Sequence, residues 1–373
     1  MTGHCMRLAA VVVSGVLVMA GCGSSGPVVS TLTLPSRAGF ETVATLGNRL
    51  LLTGSDATGS DCDWLVVGSN PLKVRSSFHA SCEQPALTGE AVVPAQFQNP
   101  RSNRATVRIA RPATTPARVR YGPVVMSFPE NSDTRLEWTY GPGLLWLYDV
   151  ATTRGAEVVE VSTATGRVVA TVSTRKLVRP LLAADADGLW IAASIETATG
   201  APAPTYRLAP RAGAPRLVHR GGYAAFWLVA SGHTVWEDIA SMTRRRLRVR
   251  QQIWRFDGPS AAAHALASAD GLSTVTTPAV APGPTLWTVG NGPFQNGQFN
   301  NCDGQRIVAI DGLTGRQSVV TTIRLPGNPC YPLPGVAWQP TGADAQTFTG
   351  GAFYFLAAPA GSGTNLYRVQ PSG

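Results

Sequence analysis

Gly188-Leu189-Trp190-Ile191 and Gly232-His233-Thr234-Val235-Trp236 share one pattern: a glycine at a turn, then a short apolar run carrying an aromatic residue. The pattern recurs at Gly47-Asn48-Arg49-Leu50-Leu51-Leu52, Gly143-Leu144-Leu145-Trp146-Leu147, Gly283-Pro284-Thr285-Leu286-Trp287 and Gly351-Ala352-Phe353-Tyr354-Phe355. In chain order these glycines lie 96, 45, 44, 51 and 68 residues apart. The first gap holds two units, with a degenerate copy at Gly89-Glu90-Ala91-Val92-Val93. A period of this length marks stacked supersecondary units, each of which needs its neighbours to bury its apolar face.

Further strands follow each copy. Val158-Val159-Glu160-Val161 turns through Thr163-Ala164-Thr165-Gly166 into Arg167–Val172, and Arg306–Ile310 turns through Asp311–Gly315 into Ser318–Thr321. Apolar runs such as Leu181–Ala184 and Ala225–Val229 precede the glycines, giving four strands per unit. β-Branched and aromatic runs bounded by Gly, Asp and Pro are the strand signal. Four antiparallel strands repeating in this way resemble a β-propeller blade, so the expected fold is all-β: seven four-stranded blades over residues 30–373. The last unit supplies three strands, ending at Leu366-Tyr367-Arg368-Val369. Ser30-Thr31-Leu32-Thr33-Leu34 is the spare strand expected to complete it, which would remove an exposed edge. Two separate β-domains are the rival arrangement, but no linker-like shift in composition interrupts the series.

The body resembles YVTN/quinoprotein-like propellers. Ala309, Asp311, Thr314, Gly315 and Arg316 are similar to the start of the tryptophan-docking repeat of quinoprotein dehydrogenases. No tryptophan follows within Gln317–Thr322, so the motif is read as an inter-strand turn.

Composition agrees with a turn-rich chain. The 373 residues include 39 glycines and 28 prolines, leaving little room for long helices. Hydrophobic residues make 44% and charged residues 14%, which excludes a disordered chain. The formal charge of +9 comes from 29 arginines and only two lysines, Lys73 and Lys176, a skew that points to coding bias rather than nucleic-acid binding.

Arg7 precedes an apolar run from Leu8 to Ala20. That run is too short for a ~20-residue membrane span and suits the core of a signal peptide. Ala20-Gly21-Cys22 resembles the lipobox of bacterial lipoproteins. The resemblance implies cleavage after residue 21, acylation of Cys22 and an extracytoplasmic, membrane-anchored protein; an ordinary secretory peptide is the plainer alternative. Residues 22–29 then form a flexible tether. Removing residues 1–21 lowers the formal charge from +9 to +8, because Arg7 is the only Lys, Arg, Asp or Glu among them.

Cys62, Cys82, Cys302 and Cys330 remain, and four cysteines allow three pairings. The blade register selects Cys62–Cys82 and Cys302–Cys330, each joining the third strand of a unit to the end of its fourth. Zinc is disfavoured, since no Cys-x-x-Cys or clustered histidine accompanies these thiols. His79, His219 and His264 fall in fourth strands and His233 in a turn, without the acidic company of a triad or metal site. No nucleophile elbow or phosphate loop is present. Asp56, Asp61, Asp63 and the Asp185–Gly188 turn lack calcium-loop spacing. Glu90, Asp133 and Glu137 lie near predicted blade entries with nothing to mark them as a catalytic pair. Neither metal nor cofactor is expected.

Two stretches depart from the plain repeat. Arg244, Arg245, Arg246, Arg248 and Arg250 form a basic run that could meet anionic headgroups near the anchor, or serve as a solvated edge that deters strand pairing. Phe294, Gln295, Asn296, Phe299, Asn300 and Asn301 form an aromatic–amide loop beside Cys302, joined by Tyr331 and Trp338 from the Cys330 loop. Such loops suit a pre-organised binding surface, while packing over the blade end is the alternative. The expected function is a monomeric binding or scaffolding module of the envelope, taking a protein or glycan ligand. A carbohydrate-active hydrolase or lyase with a central-channel site is the competing class.

Overall fold

The computed structural model describes residues 26–35, 39–46, 48–55, 61–81, 92–99, 104–111, 119–129, 136–152, 155–174, 177, 180–193, 204–220, 224–243, 248–258, 260–266, 277–290, 294–295, 298–299, 305–323, 346–357 and 364–371. Every helix-or-strand element among them is a strand. After β1 (Val28–Thr33), the first sheet comprises β2 (Gly39–Leu46), β3 (Arg49–Ser55), β4 (Asp61–Ser69) and β5 (Leu72–Ser81). The second holds β6 (Val93–Asn99), β7 (Arg104–Arg111) and β8 (Arg120–Pro129). The third holds β9 (Leu136–Gly141), β10 (Leu144–Thr152), β11 (Gly155–Ser162) and β12 (Val168–Thr174). The fourth is β13 (Pro180–Asp185), β14 (Gly188–Ala193), β15 (Pro204–Leu208) and β16 (Arg216–Arg220). The fifth is β17 (Ala224–Ser231), β18 (Thr234–Thr243), β19 (Arg248–Asp257) and β20 (Ala262–Ala265). In the sixth, β21 (Ala279–Val280) and β22 (Thr285–Gly290) precede a detached hairpin, β23 (Phe294–Gln295) and β24 (Gln298–Phe299). β25 (Gln305–Asp311) and β26 (Gln317–Ile323) complete that sheet. The seventh has β27 (Gln346–Thr349), β28 (Ala352–Ala357) and β29 (Asn365–Gln370), and its fourth strand is β1.

The closure expected from the sequence is therefore present. β1 runs antiparallel to β29, from Val28 opposite Gln370 to Thr33 opposite Asn365. Three strands of the second sheet lie among the described residues. Val93 of the degenerate glycine copy opens β6, whereas residues 82–91 lie outside the described set.

Burial explains why the second strand of a unit carries the readable signal. β14 is buried at Gly188 through Ala192, and β28 is buried throughout. A strand covered on both faces reads as a continuous apolar run rather than an alternation. Outer strands β16 and β20 have no buried residue and read as polar. The core lies between sheets. Leu145, Leu147 and Val159 pack toward Val107 and Phe128 of the second sheet, while Trp146, Tyr148 and Val158 pack toward Leu189 and Leu208 of the fourth. Equivalent apolar seams join the fourth to the fifth sheet, the fifth to the sixth, the sixth to the seventh and the seventh to the first. First strands neighbour one another in the same order, β9 to β13, β17, β21, β27 and β2, around a common axis.

Turns between first and second strands, and between third and fourth, share one end of this ring. Within sheets, Thr163 N–H donates to Gly143 O and Gly258 N–H donates to His233 O. Between sheets, Ala186 N–H donates to Gly232 O at 2.7 Å. Gly188 shows how tight this end is. Its φ of +147° lies in the region that L side chains rarely adopt, and an added Cβ would strike the Leu208 carbonyl.

Candidate functional site

At the turn end, several polar side chains close seams between sheets. Glu160 of β11 is wholly buried, and both its carboxylate oxygens accept from Arg211 N–H in the fourth sheet at 3.0 Å. Burial pushes the Glu160 carboxyl up, and the Arg211 N–H draws it partly back down. Arg111 reaches the carbonyls of Ala164 and Thr165, and Tyr354 O–H donates to Ser69 O at 3.1 Å, joining the seventh sheet to the first.

The Asp311–Arg316 turn joins the third and fourth strands of the sixth sheet. Asp311 Oδ1 accepts from Leu313 and Thr314 N–H, which holds its carboxyl below the usual range. Gly312 O accepts from the indole N–H of Trp236 at 2.8 Å. This indole comes from the neighbouring fifth sheet rather than from the strand after the turn. Gly312 is required there, because a Cβ would lie 2.9 Å from Trp236 Nε1.

Asp185 and Asp187 form a second turn cluster. Asp185 Oδ2 accepts from Trp190 Nε1 at 3.0 Å and Oδ1 from Asp187 N–H at 2.8 Å. Asp187 Oδ2 lies 3.0 Å from His233 Nδ1 and 3.5 Å from Arg207, whose guanidinium also sits over Trp190. The Asp187 hydrogen bond pushes the His233 imidazole up. The expectation that histidines lack acidic company is thereby corrected. His79 stands directly opposite Asp63 on the neighbouring strand and meets it at 2.9 Å, while His264, opposite Arg255, lies diagonally 3.7 Å from Asp257. His219 instead packs against Trp254 and Phe256, and burial pushes its imidazole down.

Sequence reasoning missed Glu237 and Asp238, which sit side by side in β18 at 2% and 1% exposure. Their available signal was a pair of acids interrupting the apolar run Val235-Trp236-x-x-Ile239. Successive residues of a strand point to opposite faces, so the two carboxyls enter different seams. Glu237 Oε1 accepts from Thr205 Oγ1 of the fourth sheet at 2.6 Å. Its Oε2 and both Asp238 oxygens have no hydrogen-bond partner among the described residues. Burial pushes Glu237 up to about 7, against the Thr205 hydrogen bond, and drives Asp238 well above the usual range with help from Glu237. At this depth the pair can hold protons. Among the described residues no group of three or more His, Cys, Asp or Glu could hold a metal ion.

The aromatic–amide stretch forms the detached hairpin, with Phe294 opposite Phe299 and Gln295 opposite Gln298 in register. It occupies the connection between the second and third strands of the sixth sheet, at the end of the ring opposite the turns. Asn296, Asn300, Asn301, Tyr331 and Trp338 lie outside the described residues, as do Cys22, Cys82, Cys302 and Cys330. Asp56, Glu90 and Asp133 lie outside them too, whereas Glu137 is half-buried in β9. Cys62 is disulfide-bonded and stands opposite Ala80, two residues before Cys82. Arg248 and Arg250 open β19, and Arg244–Arg246 lie outside the described residues. The arginine run bridges the second and third strands of the fifth sheet, at the hairpin's end. β1 starts at the other end, because Val28 pairs with the last residue of β29. The expected proximity of the run to the anchor concerns Arg244–Arg246 and Cys22, which lie outside the described residues.

No protein-family profile matches the chain, and no curated protein sequence does. Solved structures do. The β-propeller domain of the Trilobed protease from Pyrococcus furiosus superposes with a TM-score of 0.55 at 8% identity, over 90% of this chain and 94% of that one. The chain folds as a β-propeller. An oligogalacturonate lyase in complex with manganese gives 0.54 at 14% identity over 95% and 96% of the two chains. An acylaminoacyl peptidase gives 0.57 at 8% identity, over 89% of this propeller and about half, 51%, of that chain. The Trilobed protease domain is described as having an open velcro topology, whereas here β1 fastens the last sheet. At these identities the likeness is one of fold, which hosts many unrelated functions.

Proposed function

We propose that this propeller is an extracytoplasmic, lipid-anchored binding or scaffolding module of the cell envelope. One observation supports the reading most: the two features that exceed a plain propeller lie at opposite ends. The strand that follows Cys22 by six residues starts at the turn end, and the Phe294–Phe299 hairpin stands at the other. A module tethered at one end and carrying an aromatic–amide hairpin at the other can hold a protein or glycan ligand away from the bilayer. Cys22→Ser is expected to leave unprocessed precursor or release the protein into the soluble fraction. Phe294→Ala/Phe299→Ala is expected to leave folding and anchoring intact and to lose the ligand retained after gentle detergent extraction. A double variant that retains the same ligand overturns the role of the hairpin.

We also propose the pairings Cys62–Cys82 and Cys302–Cys330, supported by the register that brings Cys62 near the end of β5. Peptide mapping without reduction is expected to recover those two cross-linked pairs; a Cys62–Cys302 peptide would refute them. The competing reading as a carbohydrate-active enzyme draws on the raised carboxyls of Glu237 and Asp238, but both are closed inside seams.

A further inference from the structure

We infer that the turn end of the propeller lies against an anionic bilayer surface, an inference that rests on the lipid-anchored reading. Two independent observations carry it. The first is reach. Six residue steps separate Cys22 from Val28, spanning at most about 20 Å when fully extended. Val28 starts β1 at the turn end. Strands of about six residues are themselves ~20 Å long, so reaching the opposite end would consume the whole tether.

The second is charge. Lys73, Arg111, Arg120, Arg167 and Arg316 sit at or beside strand ends at the turn end, Arg211 lies in the turn between β15 and β16, and all six are exposed. The acids there are largely engaged within the fold. Asp185 is buried against Trp190, Asp187 meets Arg207 and His233, and Asp257 meets Arg255 at 2.7 Å. Asp311 is exposed, with its carboxylate turned to the amides of its own turn. A net-cationic face held within roughly a Debye length of an anionic leaflet is attracted to it, whereas against a neutral leaflet it gains nothing. The partner is the lipid surface itself, and the hairpin end faces away from it.

The test uses the full-length lipidated protein on vesicles containing about 30 mol % phosphatidylglycerol and on pure phosphatidylcholine, compared by amide hydrogen exchange. On the anionic vesicles, amides of Ser162–Arg167, Ala209–Arg216 and Asp311–Arg316 are expected to gain protection, and β23–β24 none. Arg120→Glu/Arg167→Glu/Arg316→Glu is expected to lower the docked-to-undocked ratio on the order of 100-fold, with the protein still vesicle-bound through its anchor. Raised salt should mimic the triple variant. Protection centred on β23–β24, equal protection on both vesicles, or none at either end overturns this orientation while leaving the anchor standing. A protein that fails to co-float with either vesicle sinks the anchored reading, and this inference with it.

Discussion

Replacing Trp236 by alanine is expected to destabilise the propeller by about 3–5 kcal/mol, against a total stability of about 5–15 kcal/mol for a folded domain. Trp236 is 3% exposed between Trp227 and Val229 of its own sheet and Leu286 and Ile310 of the next. Alanine removes that packing and leaves the Gly312 carbonyl without its indole donor. Trp236→Phe separates the two contributions, since it keeps most of the apolar volume and loses the hydrogen bond, for about 1 kcal/mol. Denaturant unfolding monitored by circular dichroism reads both changes. A Trp236→Ala protein within about 1 kcal/mol of the parent would show that this seam is not holding the ring together.

The second large effect is a pH dependence of unusual sign. Glu237 titrates at about 7 in the folded chain and near its ordinary 4.5 once unfolded, so the folded state binds more protons between those values. Its contribution is fully present below the unfolded value and is lost as pH rises through the folded one. The span corresponds to on the order of 3 kcal/mol, and Asp238 moves in the same direction. Unfolding midpoints are therefore expected to fall between pH 5 and pH 8. Glu237→Gln should flatten that slope and exceed the parent in stability at pH 8, because an amide needs no proton to remain neutral. An unchanged slope in Glu237→Gln would remove this carboxyl from the explanation. Asp311 acts oppositely, in a window below its ordinary 3.8, because its turn amides favour the charged form.

The fold was legible where burial made it so. Second strands covered on both faces carry uninterrupted apolar runs, and their glycine turns supply a period, so the sheets and the closing strand could be read from residue order. The second sheet was harder, because Val93-Pro94-Ala95-Gln96-Phe97 carries neither a tryptophan nor a glycine turn among its described residues. The turn end was less legible for a different reason. Which carboxylate meets which histidine depends on antiparallel register, and the partner of Gly312 lies 76 residues away in another sheet. Proximity across a seam is a property of the ring, and residue spacing does not encode it. Glu237 and Asp238 were visible as acids interrupting an apolar run, but the run does not show that both faces of the strand are closed over them.

Pairing Val28 with Gln370 joins residues 342 positions apart. During synthesis the N-terminal segment emerges first, yet its β partner exists only once Gln370 has been made. The ring must therefore stay open, with β1 waiting, until β29 has been synthesised. Closing so long a loop is also entropically costly and slow relative to forming hairpins within a sheet. The consequence is a built-in order of assembly: individual sheets form early, and the intact ring is a late event. A chain truncated at its C-terminus would remain unsealed, with both the first strand and the last sheet edge open to chaperones or proteases.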